Sequence, residues 1–408
     1  MTIPNRVFIM RPVTRGVSTS VCGSAGPSDT TGGSKNSKFA HDALRRVNIY
    51  IGGDHINPSG DQSGDNECFS YDPVADVVKP DGRQGWKLIS SYCHGPGKVT
   101  PARPDDGNPW GHDPRRDRYW ACSGGWRITN YHASCAVGSP TGSTMYGGLL
   151  YMDPPSGDWH VVADAGDSGT STPNVTGALT GIYDPVQDAL LGVSLFNFER
   201  IYLGSTFPGM TMAQIKKDST PIVAGSTFSG GNGDAPQGFQ QMDYAWDIVG
   251  RWYYLIGVYS VLVANAVQRS TLKLIRINLD DPTKQQALAT PPFNYPAYPI
   301  PSAGYGALHP VWDSRNRKVI WFYGRTICGG VHGIGVYTPP PTDRWDVLPV
   351  VTDIGGSFVP AGNCVGYDPS NNVCILTPGA FCGNEDDAVE KGIGSANLAS
   401  YYSLWRYA

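Results

Sequence analysis

The sequence predicts an all-β fold, a six-bladed β-propeller with four antiparallel strands per blade, on three observations. Turn formers are in excess: 51 Gly and 33 Pro make 84 of 408 residues, about 21%, against an ordinary ~12%. Charged residues are few at 16% and aromatic residues many at 11%, with 22 Tyr and 11 Trp. An Asp preceded by His, Tyr or Trp, often followed by Pro and then by a β-rich run, recurs six times. The first two observations exclude a disordered chain, a collagen-like repeat and a helical bundle.

The six copies justify the six units in order. His41-Asp42 precedes Val47–Ile51, and His112-Asp113-Pro114 precedes Arg118–Cys122. Tyr183-Asp184-Pro185 precedes Ala189–Val193, and Trp246-Asp247 precedes Trp252–Ile256. Trp312-Asp313 precedes Lys318–Phe322, and Tyr367-Asp368-Pro369 precedes Val373–Leu376. The anchor aspartates at 42, 113, 184, 247, 313 and 368 are spaced by 71, 71, 63, 66 and 55 residues. An Asp at the first turn position accepts backbone N–H bonds, and Pro presets φ for the next residue. The flanking runs are β-branched and aromatic, so each copy reads as a hairpin.

A second strand pair follows in most copies: Glu67–Tyr71 with Trp86–Ile89, Leu149–Met152 with Trp159–Val162, and Gly333–Tyr337 with Trp345–Leu348. Four antiparallel strands repeated at this length make a propeller blade. One domain over 1–408 is expected, with blades at about 38–90, 108–163, 178–223, 241–290, 304–350 and 361–408. The last copy offers only three strands, ending at Tyr401–Tyr407, while Arg6–Met10 is a strand without a unit. Residues 1–37 are therefore read as a closing strand and linker, with 6–10 completing the last blade, because a closed ring leaves no long exposed edge.

The units resemble kelch repeats, the propeller type of galactose oxidase. The resemblance rests on the double glycines Gly52-Gly53 and Gly124-Gly125, on the turns Tyr71-Asp72-Pro73 and Met152-Asp153-Pro154, and on Trp86, Trp159 and Trp345 of the fourth strands. The double glycine is missing from the third, fourth and sixth copies, and the fourth-strand Trp from the third and fourth.

Connection lengths divide the two faces of such a ring. The turns after each Asp are tight. The connections between second and third strands (about 53–66, 125–146, 325–333 and 379–400) and between units (about 91–108, 164–177, 224–240 and 290–303) are long, and long loops carry function disproportionately. Candidate binding residues on that face are His55, Asp61, Trp126, Arg127, Tyr131, His132, Arg325 and His332, of types enriched in contact surfaces. Asp54, Asp61, Asp65 and Glu67 match no EF-hand spacing, so no metal is expected there. His41 and His112 occupy a position held elsewhere by Tyr or Trp and are read as packing between blades.

Net charge is −4, from 31 basic and 35 acidic residues, and no basic stripe stands out, so nucleic acid is not an expected partner. The most apolar run, Tyr253–Val267, is too short for a membrane span and reads as two strands and their connection. Residues 1–12 lack the apolar core of a secretory signal, so cytoplasmic synthesis is expected. The nine Cys show no CxxC or zinc spacing; Cys364 and Cys374 could face each other across a hairpin, but reduced buried thiols are expected. No cofactor is expected.

Non-catalytic binding of a protein partner is the expected function, by analogy with bacteriophage tail or capsid-associated virion proteins and symmetric assemblies. Two alternatives stand beside it. One is a carbohydrate-active enzyme or lectin with an axial pocket, such as a polysaccharide lyase or sugar oxidase, for which Tyr131-His132 would be the acid and base to test. The other is a cytosolic kelch-type adaptor.

Overall fold

A computed structural model describes residues 7–12, 38–51, 68–72, 86–90, 100–101, 110–123, 128–131, 143–146, 148–164, 181–193, 197–224, 235–263, 266–292, 310–324, 331–348, 365–376 and 401–406. Strand β1 (Val7–Pro12) precedes the first unit, formed by β2 (Lys38–Asp42), β3 (Val47–Ile51), β4 (Cys68–Tyr71) and β5 (Trp86–Ser90). After β6 (Thr100–Pro101), the second unit runs through β7 (Trp110–Asp113) and β8 (Arg118–Ser123). It leaves the sheet for β9 (Ile128–Tyr131) and β10 (Ser143–Tyr146), then returns as β11 (Gly148–Asp153) and β12 (Asp158–Asp164).

The third unit has β13 (Gly181–Asp184), β14 (Ala189–Val193), β15 (Asn197–Tyr202), β16 (Met210–Thr211), a 3-10 turn at Met212–Gln214, and β17 (Lys217–Pro221). The fourth has β18 (Ala235–Asp247), β19 (Trp252–Val263), β20 (Ala266–Asn278) and β21 (Gln285–Ala287). The fifth has β22 (Pro310–Asp313), β23 (Lys318–Gly324), β24 (Val331–Thr338) and β25 (Arg344–Leu348). The last has β26 (Val365–Asp368), β27 (Val373–Leu376) and β28 (Tyr401–Arg406).

The fold is all-β, its sheets arranged as a β-propeller. Five sheets have four strands: β2-β3-β4-β5, β13-β14-β15-β17, β18-β19-β20-β21, β22-β23-β24-β25 and β26-β27-β28-β1. This corrects the expectation of six four-stranded blades. In the second unit's sheet, β7-β8-β11-β12, the short strand β16 adds a fifth member by pairing parallel to β12. The cause is the excursion between β15 and β17, which reaches back to the neighbouring unit and buries Met210, Met212 and Ile215 against it. A further three-stranded sheet, β6-β10-β9, forms from residues expected to be loop. The apolar run near Tyr253 is the β19–β20 hairpin.

The N-terminal strand lies one or two residues further along than Arg6–Met10. It pairs antiparallel with β28 from Val7 opposite Arg406 to Pro12 opposite Tyr401.

Each unit begins with the same hairpin. The turns 43–46, 114–117, 185–188, 248–251, 314–317 and 369–372 are all four residues long. In each, one oxygen of the anchor Asp accepts backbone N–H bonds from the turn: from Leu44 and Arg45, Arg115 and Arg116, Val186, Gly250, Arg315 and Asn316, and Asn371, at 2.8–3.4 Å. The fourth turn residue is left-handed every time, at φ of 56, 52, 54, 60, 54 and 53° for Arg46, Asp117, Asp188, Arg251, Arg317 and Asn372. None is Gly, although a non-Gly residue in this region costs roughly 1 kcal/mol or more. The buried aspartates offset that cost by satisfying the turn amides.

The first strands lie against one another: β7 touches β2 and β13, β22 touches β18 and β26, and β26 touches β2. The core is a series of layers between neighbouring sheets. Ile49, Cys68, Trp110, Tyr119, Leu150 and Trp159 fill the space between the first two units. Trp120, Leu149, Tyr183, Leu190 and Ile201 fill the next, Ile182, Leu191, Phe198, Tyr253 and Leu255 the third, and Tyr254, Ile256, Trp312, Val319, Trp321 and Tyr337 the fourth. Each fully buried aliphatic or aromatic side chain contributes about 1.5–3 kcal/mol. Cys68, Cys122 and Cys374 are buried and form no disulfide among the described residues; Cys364 lies outside them.

Gly157 shows how tightly outer strands pack. It has φ +70°, and a Cβ there would sit 2.1 Å from the Ile89 carbonyl oxygen of the preceding unit. Gly157→Ala is expected to cost about 2–4 kcal/mol, since it adds left-handed strain to a backbone collision. Chemical denaturation would measure it.

Candidate functional site

Of the eight candidate binding residues, His55, Asp61, Trp126, Arg127, His132 and Arg325 lie outside the described residues. Tyr131 ends β9, and His332 is the second residue of β24. Asp54, Asp65 and Glu67 also fall outside.

The described residues instead concentrate their charge at the tight-turn end of the units. The same aspartates that anchor the turns are each met by the next unit. Tyr119 Oη–H donates to Asp42 Oδ2 at 2.5 Å. Arg251 holds Asp184 with two bonds, at 2.9 and 2.7 Å. Arg317 lies 4.0 Å from Asp247. Tyr367 Oη–H donates to Asp313 at 3.0 Å, and Asn48 Nδ2–H to Asp368 at 3.2 Å. Five of the six anchors thus carry a neighbour from another unit, and Tyr183 of the third unit interacts with the remaining one, Asp113.

The seam is built in two ways. In the first two units the residue three after the anchor is Arg, which bonds its own anchor and reaches the left-handed Asp of the next unit. Arg45 grips Asp42 at 2.9 Å and Asp117 at 2.6 and 2.6 Å. Arg116 grips Asp113 at 2.6 Å and Asp188 at 2.7 and 2.6 Å. In the third and fourth units that position is Gln187 or Gly250, and the left-handed residue of the next unit is instead the cation, Arg251 or Arg317. Either arrangement puts one guanidinium between two units, beside a buried carboxylate that would otherwise be costly.

The residue just before each anchor explains His41 and His112. His41 Nδ1 lies 3.8 Å from Asp368, the preceding anchor, and His112 Nε2 lies 3.7 Å from Asp42. Burial lowers both histidines below the usual imidazole range, against the pull of the nearby carboxylates. Both are contacts between units, in line with their reading as packing.

Asp188 is held below the usual carboxylate range chiefly by the Arg116 bonds, with Tyr183 adding to the effect. A carboxylate depressed in the folded state contributes stability above its unfolded value near 4, and loses it as pH falls through the folded value. Asp188→Asn is therefore expected to cost about 1–3 kcal/mol at pH 7 and less at pH 3. Denaturation midpoints at the two pH values would measure the difference.

One place on the seam gathers three potential metal ligands among the described residues: Asp42, His112 and Asp117, whose ligand atoms all lie within 4.8 Å of one another. Arg45 occupies part of the same space.

No family model matches the chain, so the resemblance to kelch repeats stands on the quoted motifs alone. No curated protein matches it. Among solved structures it is similar to an α-L-arabinanase of Penicillium chrysogenum complexed with arabinobiose, at 9% identity, covering 96% of this chain and 98% of that one, with a TM-score of 0.46. It is also similar to the extracellular domain of a hybrid two-component system from B. thetaiotaomicron, at 9% identity and a TM-score of 0.42, covering 99% of this chain and 43% of that one. At these scores neither likeness carries an argument about activity. Among the described residues no helix is long and apolar enough to cross a membrane.

Proposed function

We propose that the chain is a closed ring of six propeller units that works without catalysis, binding a protein partner through its long-connection face. The ring reading is supported by the β1–β28 pairing and by contacts between the first and last units. There, Asn48 bonds Asp368, and a Cβ on Gly366 would lie 2.7 Å from the Phe39 ring. The β7-β8-β11-β12 meander serves as a unit like the others, with β16 as an addition to its edge.

The observation that carries the binding reading is the asymmetry of the connections. At one end all six turns have four residues, and their buried carboxylates are engaged in bonds within and between units. At the other end the chain spends 16 residues between β3 and β4, 24 between β27 and β28, and 16 between β12 and β13. Loops of that length in a rigid scaffold are where contact surfaces are placed. A virion component or another symmetric assembly is the setting we favour, since a rigid ring offers one face for lattice contacts.

The test compares two sets of alanine substitutions in the natively produced protein. One set is Trp126, Arg127, Tyr131 and His132; the other is the exposed turn residues Leu44, Val186 and Val249. The first set is expected to abolish the native complex with melting unchanged, and the second to leave it intact. Loss of the complex with the second set alone would reverse the assignment of faces. Turnover of a polysaccharide that is lost on Tyr131→Phe or His132→Asn would replace this reading with the carbohydrate one.

A further inference from the structure

We propose that Asp42, His112 and Asp117 form a binding site for one divalent transition-metal cation between the first two units. The site is separate from the long-connection face.

Three observations on the same seam lead to it. His112 is the residue before an anchor, a position filled in the third and sixth units by Tyr183 and Tyr367, whose hydroxyls find oxygen partners at 2.9–3.0 Å. The His112 side chain is 2% exposed, yet its Nε2 makes no hydrogen bond of good geometry. It points between Asp117 Oδ1 at 3.5 Å and Asp42 Oδ1 at 3.7 Å, beyond the reach of a good N–H···O bond. In the tautomer that carries its proton on Nδ1, the Nε2 lone pair faces two carboxylate oxygens, an arrangement that is unfavourable unless a cation lies between them.

Charge points the same way. Asp42 and Asp117 carry two negative charges against the single guanidinium of Arg45, so one remains. The equivalent His41 meets a different setting: among the described residues Asp368 is its only carboxylate at ion-pair distance, its ring nitrogens lie within 3.4 Å of Asn48 and Ser370, and the left-handed residue there is Asn372. Only the first seam, among the described residues, places a His and two carboxylates together.

The ligand set selects the ion. One imidazole nitrogen with two carboxylate oxygens suits zinc or manganese rather than calcium or magnesium, which take oxygen ligands. Bonds of about 2.1 Å in tetrahedral geometry put the ligands of one ion about 3.4 Å apart, so the widest pair of the cluster, now within 4.8 Å, closes by up to about 1.4 Å on binding. The bound ion shares the two carboxylates with Arg45 and completes the link between units. Asp42 Oδ1, which already accepts the Leu44 and Arg45 amides, is the weakest of the three donors.

Binding of Zn²⁺ to the full chain at pH 7.5 by titration calorimetry tests the site, with Mn²⁺ by electron paramagnetic resonance as a second measurement, because thiolates select zinc and not manganese. Wild-type protein is expected to bind one ion that His112→Asn and Asp117→Asn each weaken by more than about 100-fold, taking a lost ligand as at least as damaging as a lost outer-shell partner. Asp117, with 37% of its side chain exposed, keeps the test open if the His112 variant does not fold. Arg45→Gln removes the competing cation and is expected to tighten binding about tenfold, for the loss of one neighbouring charge. Zinc binding through the nine Cys would persist unchanged in His112→Asn and Asp117→Asn. That result, or no Mn²⁺ binding by either wild type or Arg45→Gln, would overturn the proposal.

Discussion

Deleting residues 1–12 is expected to destabilise the whole chain by about 5 kcal/mol, a large part of the 5–15 kcal/mol that holds an ordinary domain folded. The estimate comes from the six residue pairs between β1 and β28, at about 1 kcal/mol per backbone bond. The deletion also exposes β28 as an open edge, which invites aggregation. Because the last unit contacts both the fifth and the first, through Tyr367 with Asp313 and Asn48 with Asp368, the loss should be felt in one cooperative transition. Thermal unfolding followed by circular dichroism would show a single, lower midpoint. An unchanged midpoint would mean that the terminal strand closes nothing.

The second large effect concerns the two forms of the seam. Arg116→Gln alone leaves Asp113 and Asp188 without their guanidinium, and Asp188→Arg alone sets two cations side by side. Each is expected to cost about 3–5 kcal/mol, as for breaking a buried ion pair. Together they rebuild at the second seam the arrangement seen at the third, where Gln187 precedes and Arg251 supplies the cation to Asp184. The double variant is therefore expected to recover to within about 1–2 kcal/mol of wild type, a coupling above the ~0.5–3 kcal/mol usual for residues in contact, because it exchanges one complete arrangement of the seam for the other. Additive losses would mean that the units are not equivalent at this position.

Much of the fold was legible because the hairpin is local. Asp at the head of a turn and β-branched or aromatic runs on either side are short-range signals, and all six anchor aspartates do sit at the head of a four-residue turn. The left-handed residue was hidden because its signal is usually Gly or Asn, and here Arg and Asp take the place in five of six turns. The fifth strand β16 was hidden for a different reason: Met210–Thr211 is two residues long and pairs with a neighbouring unit, so no local periodicity marks it.

Loop length drew attention to Trp126, Arg127 and His132, whereas the described charge network is made by Asp42, Arg45, His112 and Asp117. His112 was rightly read as a contact between units, because Tyr stands in its place elsewhere. The sequence could not reveal that its nitrogen would face two carboxylates. Those come from residues 70 and 5 positions away, and meet it only because β2 and β7 lie side by side.

Light scattering on the natively produced protein tests the central claim most directly. A rigid, non-catalytic binding ring predicts a particle larger than the 43.8 kDa chain, containing a protein partner or further copies in a fixed ratio. A monodisperse 43.8 kDa monomer that cleaves or binds a glycan would contradict it.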